Sequence, residues 1–175
     1  MTISDYKSGL GSHSKDTKLN LGNLFSNVAA TGMTDIQFYG TALALAYSIN
    51  DAELTKAVEA EAEGKVEANV IEAAKTAASL MAMNNIYYRF IHLSSDKQFG
   101  KMPAGLRMNA MANPGVDKAD FELYSLAVSA LNGCGMCIDA HVKTLLEHSV
   151  SAQAIQSSVK LAAVLNAAKT AAAIS

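Results

Sequence analysis

Apolar residues along this chain recur at helical spacing, and no stretch alternates in the two-residue rhythm of a half-buried strand. Thr34 followed three residues later by Gln37 has the form of a capping box, opening a helical stretch through Ile49 that ends near Asn50. Asp51 can cap the next segment, Ala52 to Glu63, where Leu54, Ala57, Val58 and Ala62 share a face before Gly64 stops it. A third helix is expected from Val66 to Met83, with Val70, Ala74, Ala77, Ala78 and Met81 on one side. The Asn84-Asn85 pair then predicts a turn, after which Ile86 to Leu93 resumes the helical pattern. Ser94 to Asn113 is the least regular region, with a Gly100 to Gly105 loop and a short Leu106 to Met111 segment, and Asn113-Pro114-Gly115 is the strongest turn signal. Asp117 can cap a helix carrying Phe121, Tyr124, Leu126, Val128 and Leu131, ended by Asn132-Gly133. Cys134 begins another that runs through Leu146, and Ser151 can cap a last helix reaching almost to the C-terminus. The expected fold class is all-α.

Composition supports that reading. Half of the 175 residues are apolar, many of them alanine, with two prolines, no tryptophan and 6% aromatic residues, which suits close-packed helices. The length predicts a single domain over 1–175. At an offset of 48 residues, Met83-Asn84-Asn85 falls on Leu131-Asn132-Gly133, a weak echo that suggests two related helical hairpins. The net charge of −2 arises from interspersed acids and bases, so no basic stripe for nucleic acid is expected. Met1 to Asn20 is a polar start without the apolar centre of a signal peptide, and Ala42 to Tyr47 and Leu161 to Leu165 fall short of the roughly 20 residues that cross a bilayer. No membrane association and a cytoplasmic location are the expectations. In such a reducing compartment, two closely spaced cysteines are more often catalytic or metal-binding than a permanent bridge.

Those cysteines stand in Asn132-Gly133-Cys134-Gly135-Met136-Cys137-Ile138-Asp139-Ala140-His141. On a helix Cys134, Cys137 and His141 share one face. Cys134 in the first turn benefits from unpaired backbone amides and the positive end of the helix dipole, which favour thiolate. Cys137 has an imidazole one turn away, able to accept the thiol proton directly or through a water. Spacing thus favours Cys137 as the attacking thiol, while the helix terminus favours Cys134. The two can close into a redox disulfide, because residues three apart at a helix N-terminus lie within bridging distance. A peroxide would then oxidise one sulfur to a sulfenic acid, the other would displace water, and an external reductant would reopen the bridge, with no bound cofactor required. Glu122 lies among apolar neighbours on the preceding helix and needs a partner; a raised pKa would make it a proton reservoir for His141. Its eleven-residue separation from Cys134 is a difficulty that tilt or a water must bridge.

With Glu122, Cys134, Cys137 and His141 so spaced, the sequence resembles the AhpD (alkyl hydroperoxidase D) family of the carboxymuconolactone decarboxylase-like superfamily. The resemblance extends over Met81-Ala82-Met83-Asn84-Asn85, Gly105-Leu106-Arg107-Met108-Asn109, Asn113-Pro114-Gly115 and Phe121-Glu122-Leu123, which is most of the chain. It implies an all-helical homotrimer whose dithiol reduces alkyl hydroperoxides and serves as reductant of an AhpC-like peroxiredoxin. Its electrons would come from a lipoyl-bearing acyltransferase supplied by dihydrolipoamide dehydrogenase and ultimately NADH. The resemblance assigns the sulfenic acid to Cys137, proton donation and peroxiredoxin pairing to Cys134, and a proton relay to Glu122 and His141. Gly135-Met136 departs from relatives with Ser or His between the cysteines, so potential and rate are not implied.

Blander readings stand beside these. Cys134, Cys137 and His141 could be a zinc half-site in a non-enzymatic module, although a structural site usually wants four ligands and there is no second cysteine pair. A decarboxylase or lactone-processing relative on the same fold is the alternative enzyme. Glu122 could serve a structural ion pair, with Arg107 as partner. His92 and His148 read as surface or packing residues, and Met81, Met83, Met108 and Met111 as core filler.

Overall fold

The capping box at Thr34 forms as the spacing predicts. Gln37 N–H donates to Thr34 Oγ1 at 3.2 Å, and Thr34 N–H donates to Gln37 Oε1 at 3.1 Å. It starts helix α3, Asp35–Ile49, which Asn50 closes in the left-handed conformation at φ 56°. In the computed structural model, which describes residues 1–175, the other helices are α1 (Ile3–Gly9), α2 (Lys15–Ser26), α4 (Ala52–Ala62), α5 (Ala68–Leu93), α6 (Lys118–Leu131), α7 (Gly135–Glu147) and α8 (Ala152–Ala173), with no strand. Side-chain caps at Asp51, Asp117 and Ser151 begin α4, α6 and α8 as the sequence predicts.

Helices α3 and α6 form the centre. Phe38 to Ala46 on α3 and Phe121 to Ser129 on α6 are buried without a break, which places both helices in the interior rather than on the surface. Helices α5 and α8 pack against both, α4 covers α3, and α7 lies on α6 and α5. The α3–α6 approach depends on Gly40: a Cβ there would lie 2.2 Å from Cζ of Tyr124, whose hydroxyl donates to the Ile36 carbonyl at 3.0 Å. Gly40→Ala therefore overpacks the centre, with an expected loss of about 2–3 kcal/mol, a fall of roughly 6–9 °C in thermal midpoint by circular dichroism.

Three elements depart from the sequence reading. The polar N-terminus forms α1 and α2. Thr2 and Asp5 make a capping box, and Ile3, Tyr6, Leu10 and Leu21 are buried, so apolar anchors spaced among charges were enough to hold both helices on the core. Leu106 to Met111 holds only a 3-10 turn, Asn109–Met111. The predicted turn at Asn84-Asn85 does not exist: α5 runs through it for 26 residues. Asn85 is buried instead, its Nδ2 donating to Ser129 Oγ at 2.9 Å and its Oδ1 accepting from Asn132 Nδ2 at 3.0 Å. Tertiary partners satisfy the amide that a turn would have exposed, so the first of the two suggested hairpins is absent.

These contacts also place the functional segment. Arg89 Nη1 donates to the Asn132 carbonyl at 2.6 Å, so α5 grips the end of α6 where the chain reverses. Gly133 takes φ 69° to make the reversal, and Cys134 follows as the N-cap of α7.

Candidate active site

Cys134 sits one position earlier than a first-turn residue: as N-cap, its sulfur accepts a hydrogen bond from Cys137 N–H at 3.3 Å. The pair is joined as a disulfide with Cα atoms 5.3 Å apart, as their helical spacing allows. Their environments differ. Cys134 is completely buried, whereas Cys137 is 7% exposed and borders a cavity of about 290 Å³ that His141 also lines. The Cys137 sulfur lies 4.0 Å from the backbone oxygen of Asn84 on α5.

The separation of Glu122 from the cysteines is resolved by helix pairing. Helices α6 and α7 fold back on each other, so Glu122 meets His141 rather than Cys134. Glu122 Oε2 is 2.6 Å from His141 Nδ1, and Lys118 Nζ is 2.9 Å from Oε1, one turn earlier on α6. Lys118, not Arg107, is thus the cationic partner. Burial pushes the Glu122 carboxyl up, but hydrogen bonds from His141 and Lys118, with their charges, outweigh it and hold the group below its ordinary value. The expected proton reservoir of raised pKa is therefore corrected to an ionised carboxylate. As an acceptor only, it requires the proton of His141 on Nδ1, and this leaves Nε2 to exchange protons with other groups.

His92, exposed as its surface-or-packing reading expects, packs on the disulfide segment from another helix. The ring of His92, from the end of α5, lies against Gly135: a Cβ there would be 3.1 Å from Cε1 and 3.2 Å from Nδ1. The absence of a side chain at Gly135 makes room for an imidazole from another helix. Met81 fills the core as expected and Met111 packs against it. Met83 is exposed, but Met81, Met108 and Met111 are joined by Met136 in the wall of the cavity beside Cys137.

Comparison with known proteins bears on this arrangement. The model of the carboxymuconolactone decarboxylase family matches residues 97–175, the part that holds Glu122, both cysteines and His141. A Brucella canis protein named alkyl hydroperoxide reductase AhpD is 53% identical over 168 residues, covering 96% of this chain and 94% of its own. The chain belongs to the AhpD family. A Coxiella burnetii protein of the same name is 49% identical over 164 residues, covering 94% of this chain and 93% of its own. Membership of the AhpD family therefore extends over both the N-terminal helices and the disulfide segment. No helix is long and apolar enough to cross a membrane.

Proposed function

We propose that this AhpD-family protein is an alkyl hydroperoxide reductase working through Cys134 and Cys137. The single observation that carries the reading is the asymmetric pair: a bonded dithiol in which Cys137 alone borders a cavity, beside a histidine held by a buried carboxylate. In the reduced state His141 takes the Cys137 proton across that cavity, and the thiolate attacks the terminal peroxide oxygen. A sulfur–oxygen bond forms, the O–O bond breaks, and the leaving alkoxide takes a proton from His141. Cys134 then attacks the sulfenic acid, expelling water and closing the bridge. One hydroperoxide and two thiols thus give one alcohol, one water and one disulfide.

Cys134 and Cys137 are re-reduced by thiol–disulfide exchange with a dihydrolipoyl group of an acyltransferase, itself supplied through dihydrolipoamide dehydrogenase from NADH, and the dithiol in turn reduces an AhpC-like peroxiredoxin. The unit is a single domain that acts as a homotrimer in the cytoplasm; an exposed apolar stripe of Ile86, Phe90 and Leu93 at helical spacing on α5 supports assembly. The test is turnover of cumene hydroperoxide with dihydrolipoamide as the reductant. Stoichiometric cumyl alcohol and oxidised lipoamide are expected; failure of the reduced protein to consume any hydroperoxide overturns the reading.

A further inference from the structure

Asn84 and Asn85 are neighbours on α5 with opposite hydrogen-bonding fates. Both are buried, but only Asn85 has its amide oxygen satisfied; Asn84 is 5% exposed and its Oδ1 has no partner. An orphan acceptor in a helix centre is destabilising and calls for an explanation. Asn84 lines the same cavity as Cys137 and His141, whose remaining wall is dominated by Met81, Met108, Met111 and Met136. The cavity wall therefore combines a reactive sulfur, a base and a buried amide whose oxygen lacks a partner with soft apolar side chains.

We infer that Asn84 receives the hydroperoxide group: its side chain turns its Oδ1, enclosed in the disulfide form, into the cavity to accept a hydrogen bond from the terminal peroxide O–H, while the methionine wall takes the organic substituent. This rests on the hydroperoxide-reductase reading and adds to it a substrate-orienting residue and a preference. The hydrogen bond aims the terminal oxygen at Cys137, where the sulfur–oxygen bond forms as the O–O bond breaks. The alkoxide lies toward the methionines and takes its proton from His141. At about 290 Å³ the cavity is at the small end for ligand sites, so it suits a compact alkyl or aryl group. The flexible, polarizable thioethers adapt to such groups and contact aromatic rings favourably. Hydrogen peroxide would satisfy Asn84 but leave the apolar wall unused.

The test uses the full-length reduced protein in single-turnover mixing with cumene hydroperoxide, hydrogen peroxide and, as a thiolate probe needing no peroxide acceptor, methyl methanethiolsulfonate. Asn84→Leu is expected to slow oxidation by both peroxides by about tenfold, the rate equivalent of one lost hydrogen bond, with the methanethiolsulfonate rate within twofold of wild type. Its thermal midpoint should equal or exceed that of wild type, because an unsatisfied buried amide has been removed. Asn84→Ala should show the same split between peroxides and probe, and serves if the leucine variant does not fold. Met136→Ser should lower the cumene hydroperoxide rate relative to that of hydrogen peroxide. Wild-type peroxide rates in both Asn84 variants, or equal losses with peroxide and probe, would overturn the inference while leaving the reductase reading intact. A wild-type protein inert to every hydroperoxide would overturn both.

Discussion

Cys137→Ser is expected to abolish hydroperoxide consumption, on the order of a thousandfold or more, whereas Cys134→Ser should consume one equivalent and then stall as the sulfenic acid. The difference follows from position. Cys137 borders the cavity, while Cys134 is completely buried behind it as the N-cap of α7. A serine hydroxyl is not a competent nucleophile toward the O–O bond, so loss of Cys137 removes the first step. A serine at 134 leaves that step in place and removes the sulfur that expels water. Neither result can be ascribed to unfolding: serine is a preferred N-cap and can accept from Cys137 N–H as the Cys134 sulfur does, and a bridge closing so short a loop adds little chain-entropy stabilisation. Trapping the sulfenate with a dimedone reagent and locating it by mass spectrometry decides the matter. A sulfenate found at Cys134 in the wild-type or Cys137→Ser protein would reverse the assignment.

Glu122→Gln is expected to slow hydroperoxide reduction by about a hundredfold, the scale of one general acid–base contribution. The carboxylate accepts from Lys118 on one oxygen and from His141 on the other. A glutamine offers one acceptor and must turn its NH₂ toward the second donor, so His141 loses either its orientation or its tautomer. The same substitution should cost about 1–3 kcal/mol at neutral pH, read from urea unfolding. Because the Glu122 carboxyl is held below its ordinary value of 4.5, its contribution to stability is fully present above that pH. It is lost as pH falls through the lower, folded-state value, and Glu122→Gln should flatten this acid limb. An unchanged acid limb would mean that Glu122 is not held ionised in the fold.

The contrast between Asn50 and Asn84-Asn85 shows how much of the fold was legible along the chain. Asn50 ends α3 because the capped, periodic segment before it is complete and a left-handed residue can close its backbone locally. Asn84 and Asn85 carry the same turn-forming chemistry but stay helical: Ser129 of α6 and its C-cap residue Asn132 reach Asn85, and Asn84 is buried beside the cavity. Nothing near residue 85 in sequence announces Ser129. The N-terminal helices illustrate the same limit from the other side: Ile3, Tyr6 and Leu21 are too sparse to signal a buried face, yet each finds the core.

The candidate site divides along the same line. Cys137 and His141 share α7 and Cys134 caps it, so the local spacing by itself determined that two sulfurs could bond and that an imidazole would stand one turn away. Within that segment every relevant distance is local. The tertiary structure decided what surrounds it: α6 and α7 reverse at Gly133 so that Glu122 and Lys118 hold His141, while α5 brings Asn84 to the cavity and sets His92 against Gly135. It also decided the inequality of the sulfurs, since the sequence favours Cys137 by its base and Cys134 by its helix terminus. Only packing leaves one bordering a cavity and closes the other off, because burial depends on which helices cross above a residue and not on its neighbours in the chain.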